Sequence, residues 1–166
     1  MQLFNVLLIS AFALMAFSPN GKNDKPKFPK YDPILTLPGG SCSCSGVFTS
    51  CSKSCSKGDC DCTCGVFTCS CTGCKIQAAM EIYPISVNEA QYAKINKLAN
   101  ILYSENDEIS VKSYYTLIEM IGFLKTKNYS EYDAKAKLLQ NTLLSSLPKK
   151  VKGKINTTFK SDGFQI

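Results

Sequence analysis

Ten cysteines, all lying between Cys42 and Cys74, constrain this chain more than any other feature of its 166 residues. They are Cys42, Cys44, Cys51, Cys55, Cys60, Cys62, Cys64, Cys69, Cys71 and Cys74. The bulky apolar residues among them are chiefly Val47, Phe48, Val66 and Phe67. So few cannot bury enough surface to fold the segment by hydrophobic burial alone, and crosslinks must replace the missing interior. A disulfide typically contributes about 2–4 kcal/mol, largely by restricting the unfolded chain, so several would exceed what such a small core supplies.

The segment is a weak duplication. Gly46-Val47-Phe48-Thr49 repeats as Gly65-Val66-Phe67-Thr68, and Cys55 falls over Cys74 in that register. Each copy follows C-x-C elements, whose cysteines project to one face of an extended strand. Neighbours in a C-x-C bridge each other only with strain, so pairing is expected from one copy to the other, with the connectivity left open. Two like units predict two stacked hairpins or loops. The loop residues Phe48 and Phe67 are candidate contact residues, displayed with the Ser and Thr around them.

Thiolate metal binding is the main rival, because C-x-C repeats and lysines beside cysteine (Lys53, Lys57, Lys75) are also what a metallothionein-like cluster has. Aromatic and β-branched residues in the segment argue against it, as does export, since oxidising compartments convert thiolates to disulfides. No metal ligand set and no cofactor is therefore assigned. Cys71-Thr72-Gly73-Cys74 has the C-x-x-C spacing of redox-active thiol proteins, but no βαβ pattern precedes it.

Export is expected from residues 3–17, an almost wholly apolar run that gives way to polar sequence after Ser18-Pro19-Asn20. The run is shorter than the roughly 20 residues a membrane span needs, so residues 1–18 read as a signal peptide, with no stable span after processing. Residues 19–40 are rich in Lys and Pro and predict an extended linker, with a short strand at residues 34–37. Residues 41–75 form the disulfide module.

Residues 76–166 change character. A strand is predicted over residues 75–83, ending before Pro84. Helices follow over residues 87–103, capped by Ser86 with Glu89; over residues 111–125, with Tyr114, Leu117, Ile118, Ile121 and Leu124 on one face; and over residues 130–147, aligning Ala136, Leu139, Leu143 and Leu147. The last residues, with Ile155-Asn156-Thr157-Thr158-Phe159 before a Ser161-Asp162-Gly163 turn signal, suggest a terminal β-hairpin. The expected fold class is α+β, mainly α: a small disulfide-rich module of short strands and loops, then a three-helix domain.

Function classes are narrowed by what is missing. The chain has no His, so it cannot assemble a Ser-His-Asp or Cys-His catalytic unit or a His-containing zinc site. All its positive charge is Lys, and without the bidentate Arg fork the net charge of +6 makes nucleic acid a poor partner. The carboxylates Glu105, Glu108, Glu119, Glu131 and Asp133 are spaced as helix caps and solvated faces, and no phosphate loop appears, so no catalytic residue is assigned. The lysines Lys149, Lys150, Lys152 and Lys154 read as a solvated face. Asn128-Tyr129-Ser130 and Asn156-Thr157-Thr158 match the N-glycosylation acceptor pattern. What remains is a secreted or cell-surface accessory protein, not an enzyme, whose stapled knob contacts a protein or cell-surface partner. The alternatives are a thiolate metal binder and a redox-active thiol protein.

Overall fold

The computed structural model describes residues 25–35, 42–53, 60–73 and 85–166. The predicted signal peptide, Cys55, Cys74 and the strand expected over residues 75–83 lie outside them.

Each copy of the duplication is an antiparallel hairpin. Strands β1 (Cys42–Ser45) and β2 (Ser50–Lys53) flank the first Gly-Val-Phe-Thr loop, and β3 (Cys60–Cys64) and β4 (Cys69–Gly73) flank the second. Both loops close identically, with the glycine N–H donating to the threonine carbonyl at 2.7 Å. The hairpins then stack, β1 on β3 and β2 on β4, and the Phe48 N–H donates across to the Val66 carbonyl at 3.2 Å.

The phase of the cysteines explains why this stacking encloses sulfur. Cys44 lies two residues before its loop glycine and Cys64 only one before its own, so side-chain alternation sends the cysteines of the two copies to opposite faces. Laid one over the other, the hairpins turn those faces toward each other. The approach is close at the loops: a Cβ on Gly46 would meet the Gly65 carbonyl oxygen at 2.2 Å. Gly46→Ala is therefore expected to cost about 2–3 kcal/mol, as overpacking against backbone does. Gly65→Ala should cost less, because its Cβ meets first the rotatable Thr68 hydroxyl, at 2.9 Å. Denaturant midpoints of the two variants check the ranking.

A fifth strand, β5 (Ile85–Ser86), pairs with β2 and hands the chain to the helices. Helix α1 (Glu89–Tyr103) is capped by Asn88, not Ser86. The Asn88 side chain accepts from the Gln91 N–H at 2.8 Å, and the Gln91 side chain accepts from the Asn88 N–H at 3.1 Å. Ser86 is committed to the sheet, its hydroxyl donating to the Ser50 carbonyl at 3.1 Å, which moves the cap two residues on. Gln91 also donates to Ser45 Oγ and to the Gly46 carbonyl, tying α1 to the first hairpin.

Helix α2 (Glu108–Lys125), capped by Asp107, buries Tyr114, Leu117, Met120, Ile121 and Leu124 and is the central element, as its sequence pattern implies. Helix α3 (Tyr129–Leu138) continues through a π-turn and a 3-10 turn to Ser146, and the expected stripe of Ala136, Leu139, Leu143 and Leu147 is buried. The terminal hairpin is not formed. Residues Lys149–Thr158 make a fourth helix, α4, because Val151, Ile155 and Phe159 recur every fourth residue and are all buried. Pro148 opens that helix, and Gly163, at φ 69°, closes the short turn after it. The fold is thus α+β and mainly α. Among the described residues no helix is long and apolar enough to cross a membrane.

Helices and hairpins share one apolar core. Phe48 and Phe67 stack on each other and meet Phe159 and Phe164 edge-on.

Residues 25–35 form no regular element apart from a 3-10 turn at Pro33–Leu35, where part of the expected short strand lies. They are a docked strap, not a loose linker. Phe28 packs against Tyr92 and Tyr114, Tyr31 against Tyr92, and the hydroxyls of Tyr92 and Tyr114 donate to the carbonyls of Pro29 and Pro26. Leu35 is buried, and its carbonyl accepts from the Val87 N–H at 2.9 Å. Burial pushes the Tyr92 hydroxyl up to about 12. A raised folded value means the stabilisation tied to the neutral Tyr92 hydroxyl is whole below the ordinary tyrosine value of about 10 and is lost as pH rises through about 12. Limited proteolysis should show the strap becoming more cleavable across that window, and Tyr92→Phe should reduce the step by making its hydroxyl contact absent at every pH, while Tyr114, also raised by burial, keeps its own bond to Pro26.

Candidate functional site: a sulfur core between two hairpins

The eight described cysteines, Cys42, Cys44, Cys51, Cys60, Cys62, Cys64, Cys69 and Cys71, all face the space between the hairpins. Burial alternates with the sequence: in β1 and β3 each cysteine is partly covered and each residue between cysteines is exposed.

Two disulfide contacts run between copies as expected, Cys42–Cys60 and Cys44–Cys64, with Cα separations of 5.9 and 5.7 Å. Two others are within the second copy, Cys62–Cys71 and Cys64–Cys69, at 4.0 and 4.2 Å. The purely cross-copy expectation is corrected here. Cys62 and Cys71, and likewise Cys64 and Cys69, sit directly opposite in the β3–β4 register, where facing side chains of an antiparallel pair come closest.

Cys64 touches both Cys44 and Cys69, yet one sulfur makes one disulfide, so those two contacts are alternatives. Cys51, the directly opposite partner of Cys44 in β1–β2, is a buried thiol with its sulfur 3.6 Å from that of Cys44, 4.0 Å from Cys64 and 3.3 Å from Cys71. Burial raises its pKa. A thiol shielded from solvent and held protonated is a poor nucleophile, which weighs against Cys51 as a reactive redox group. Cys71 is fully buried on a strand and contacts Cys62, so it lacks the helix N-terminus that activates a C-x-x-C pair.

The sulfurs of Cys44, Cys51, Cys64 and Cys69 lie within 4.8 Å of one another, one from each of the four hairpin strands, and Cys51, Cys62 and Cys71 form an adjoining triplet. The Thr49 hydroxyl lies 3.6 Å from Cys69 Sγ.

Phe48 and Phe67 are not contact residues. Both are fully buried, because the loops turn their aromatic rings toward each other and toward Phe159 and Phe164, not toward solvent. The exposed surface is instead the outer face of the strands. Ser43, Ser45, Ser50 and Ser52, together with Cys44, Cys51, Ser86 and Asn88, line a hollow of about 330 Å3 on the first sheet, and Asp61, Thr63, Ser70 and Thr72 are exposed on the second hairpin. The signal for this face was present in the sequence, since whatever alternates with inward cysteines must point outward.

The carboxylates are not gathered into a site: Glu119 pairs with Lys135, Asp133 with Lys137 and Glu105 with Lys154, on the surface. Both glycosylation-pattern asparagines have structural roles, Asn128 capping α3 and Asn156 bonding the backbone of Ile166 through both ends of its amide. Compared with known proteins, the chain matches no family model, no curated protein and no solved structure.

Proposed function

We propose that this chain is an exported, non-enzymatic binding protein in which a disulfide-stapled double hairpin, held by a helical domain, presents a hydroxyl-rich face to a protein or cell-surface partner. The observation that carries this reading is the partition of the strands, cysteine inward and Ser, Thr or, at one position, Asp61 outward on the exposed positions. Staples make such a surface rigid, and rigid surfaces lose little entropy on binding. Export supplies the oxidising compartment the staples need, and the apolar run of residues 3–17 supplies a route. In this reading residues 1–18 are removed, residues 19–40 link and strap, residues 41–75 are the knob and residues 76–166 its support.

The test has two parts. The chain expressed with its own N-terminus should be recovered outside the cytoplasm, shortened, and lighter by the hydrogens that disulfide formation removes. The purified protein should then bind intact cells of its source saturably, and the double variant Thr63→Lys/Thr72→Lys should lose that binding with its unfolding midpoint unchanged. A full-length chain kept inside the cell with free thiols, or cell binding indifferent to those two residues, overturns the proposal.

A further inference from the structure

We infer that in the reduced chain Cys44, Cys51, Cys64 and Cys69 form a tetrahedral four-thiolate site for one thiophilic divalent cation of the zinc class. This concerns the thiol form alone, so it stands or falls independently of export.

Four strands each contribute one sulfur to a single point, and all four atoms lie within 4.8 Å of one another. A zinc ion with Zn–S bonds of about 2.3 Å sets its ligand sulfurs about 3.8 Å apart along each tetrahedral edge. The Cys44–Cys51 and Cys51–Cys64 separations, 3.6 and 4.0 Å, straddle that edge. Cys64 is the sulfur that disulfide chemistry cannot satisfy uniquely, since it contacts Cys44 and Cys69 at once. A central cation satisfies all four together, because each sulfur then has one bond to the metal. Binding takes the proton from each of the four thiols and releases it to solvent.

The surroundings suit such a centre. Cys51 is buried, the Thr49 hydroxyl lies within hydrogen-bond reach of the Cys69 sulfur and can hold it in place, and the donors sit on hydrogen-bonded strands and not on free loops. The spacing is unlike the paired C-x-x-C knuckles of common zinc sites. The ligands come from positions 44, 51, 64 and 69, a pattern that only the one-residue phase shift between the two copies explains.

Cobalt(II) is the probe. The full chain, reduced with a phosphine under anaerobic conditions, is titrated with Co2+ and followed by visible absorption, with far-ultraviolet circular dichroism confirming that the helices stay folded. One equivalent should give the intense thiolate-to-cobalt charge-transfer and d–d bands of a tetrahedral four-sulfur site, and Zn2+ should displace it. Cys51→Ser and Cys69→Ser should each weaken Co2+ binding at least tenfold and shift the d–d bands toward three-sulfur ligation. Cys42→Ser and Cys60→Ser, outside the tetrad, should leave both unchanged. The inference is overturned if the wild-type bands indicate fewer than four thiolates, if they survive Cys51→Ser and Cys69→Ser, or if Cys42→Ser removes them equally. The wild-type band positions decide the ligand number even where a variant fails to fold.

Discussion

Phe48→Ala is expected to destabilise the protein by about 3–5 kcal/mol, the range for truncating a fully buried phenylalanine, and to detach the hairpins from the helices. Phe48 has no exposed surface. Its ring stacks on Phe67 with centroids 4.5 Å apart and planes 5° from parallel, and it receives Phe159 at 5.4 Å and Phe164 at 5.3 Å edge-on. Each aromatic contact of this kind adds about 0.5–1.5 kcal/mol beyond the area it buries. Phe67→Ala should cost less, since of the two terminal rings Phe67 meets only Phe164, and from 6.4 Å. Denaturant unfolding followed separately by helical circular dichroism and by hydrogen exchange in the hairpins should give coincident transitions for the wild type. In Phe48→Ala the two should separate, because the crosslinked hairpins and α2 with its own buried stripe each retain local structure. A Phe48→Ala midpoint within about 1 kcal/mol of wild type would show that the aromatic cluster does not join the two parts.

The same residue marks the limit of what could be read from the sequence. Phe48 and Phe67 were legible as repeated loop residues, and a repeated aromatic in a Ser-rich loop reads as display. They meet Phe159 and Phe164, at and beyond the end of α4, a helix whose Val151, Ile155 and Phe159 stripe was hidden beneath a β-branched run that resembles a strand. Local composition suggested one thing and the four-residue period another, and the period won because helix α1 and the shared core supply a surface for it to face. Helices α1, α2 and α3 were legible because each carries its stripe and cap within its own sequence. The cap of α1 was misplaced by two residues because Ser86 and Asn88 are both good caps, and only the pairing of β5 with β2 decides between them. The docking of the strap was not legible, since its contacts with Tyr92 and Tyr114 join positions far apart in the chain. In the sulfur core, inward-facing cysteines followed from alternation, whereas the convergence of four sulfurs depends on how one hairpin lies over the other.

Reduction in the presence of a chelator is the second large effect, and it should unmake the hairpins before the helices. Four- and five-residue strands with so little apolar covering are marginal by themselves, and their order rests on the bridges. Chain entropy ranks those bridges by the loop they close. Cys42–Cys60, with a sequence separation of 18, is worth about 3 kcal/mol, and Cys64–Cys69, with a separation of 5, about 2 kcal/mol. The bridge between hairpins should therefore dominate, and Cys42→Ser should destabilise more than Cys69→Ser. The gap is widened by the shared sulfur: removing Cys69 leaves Cys64 beside Cys44, so a bridge between the hairpins takes the place of the one lost within the second. Hydrogen exchange by mass spectrometry should show loss of protection across residues 42–53 and 60–73 on reduction, with α2 still protected. Simultaneous loss in hairpins and helices would instead mean that the sulfur core sustains the whole fold through Phe48. In that case reduction and Phe48→Ala should produce the same exchange pattern, and the two treatments applied together should cost no more than the larger of them alone.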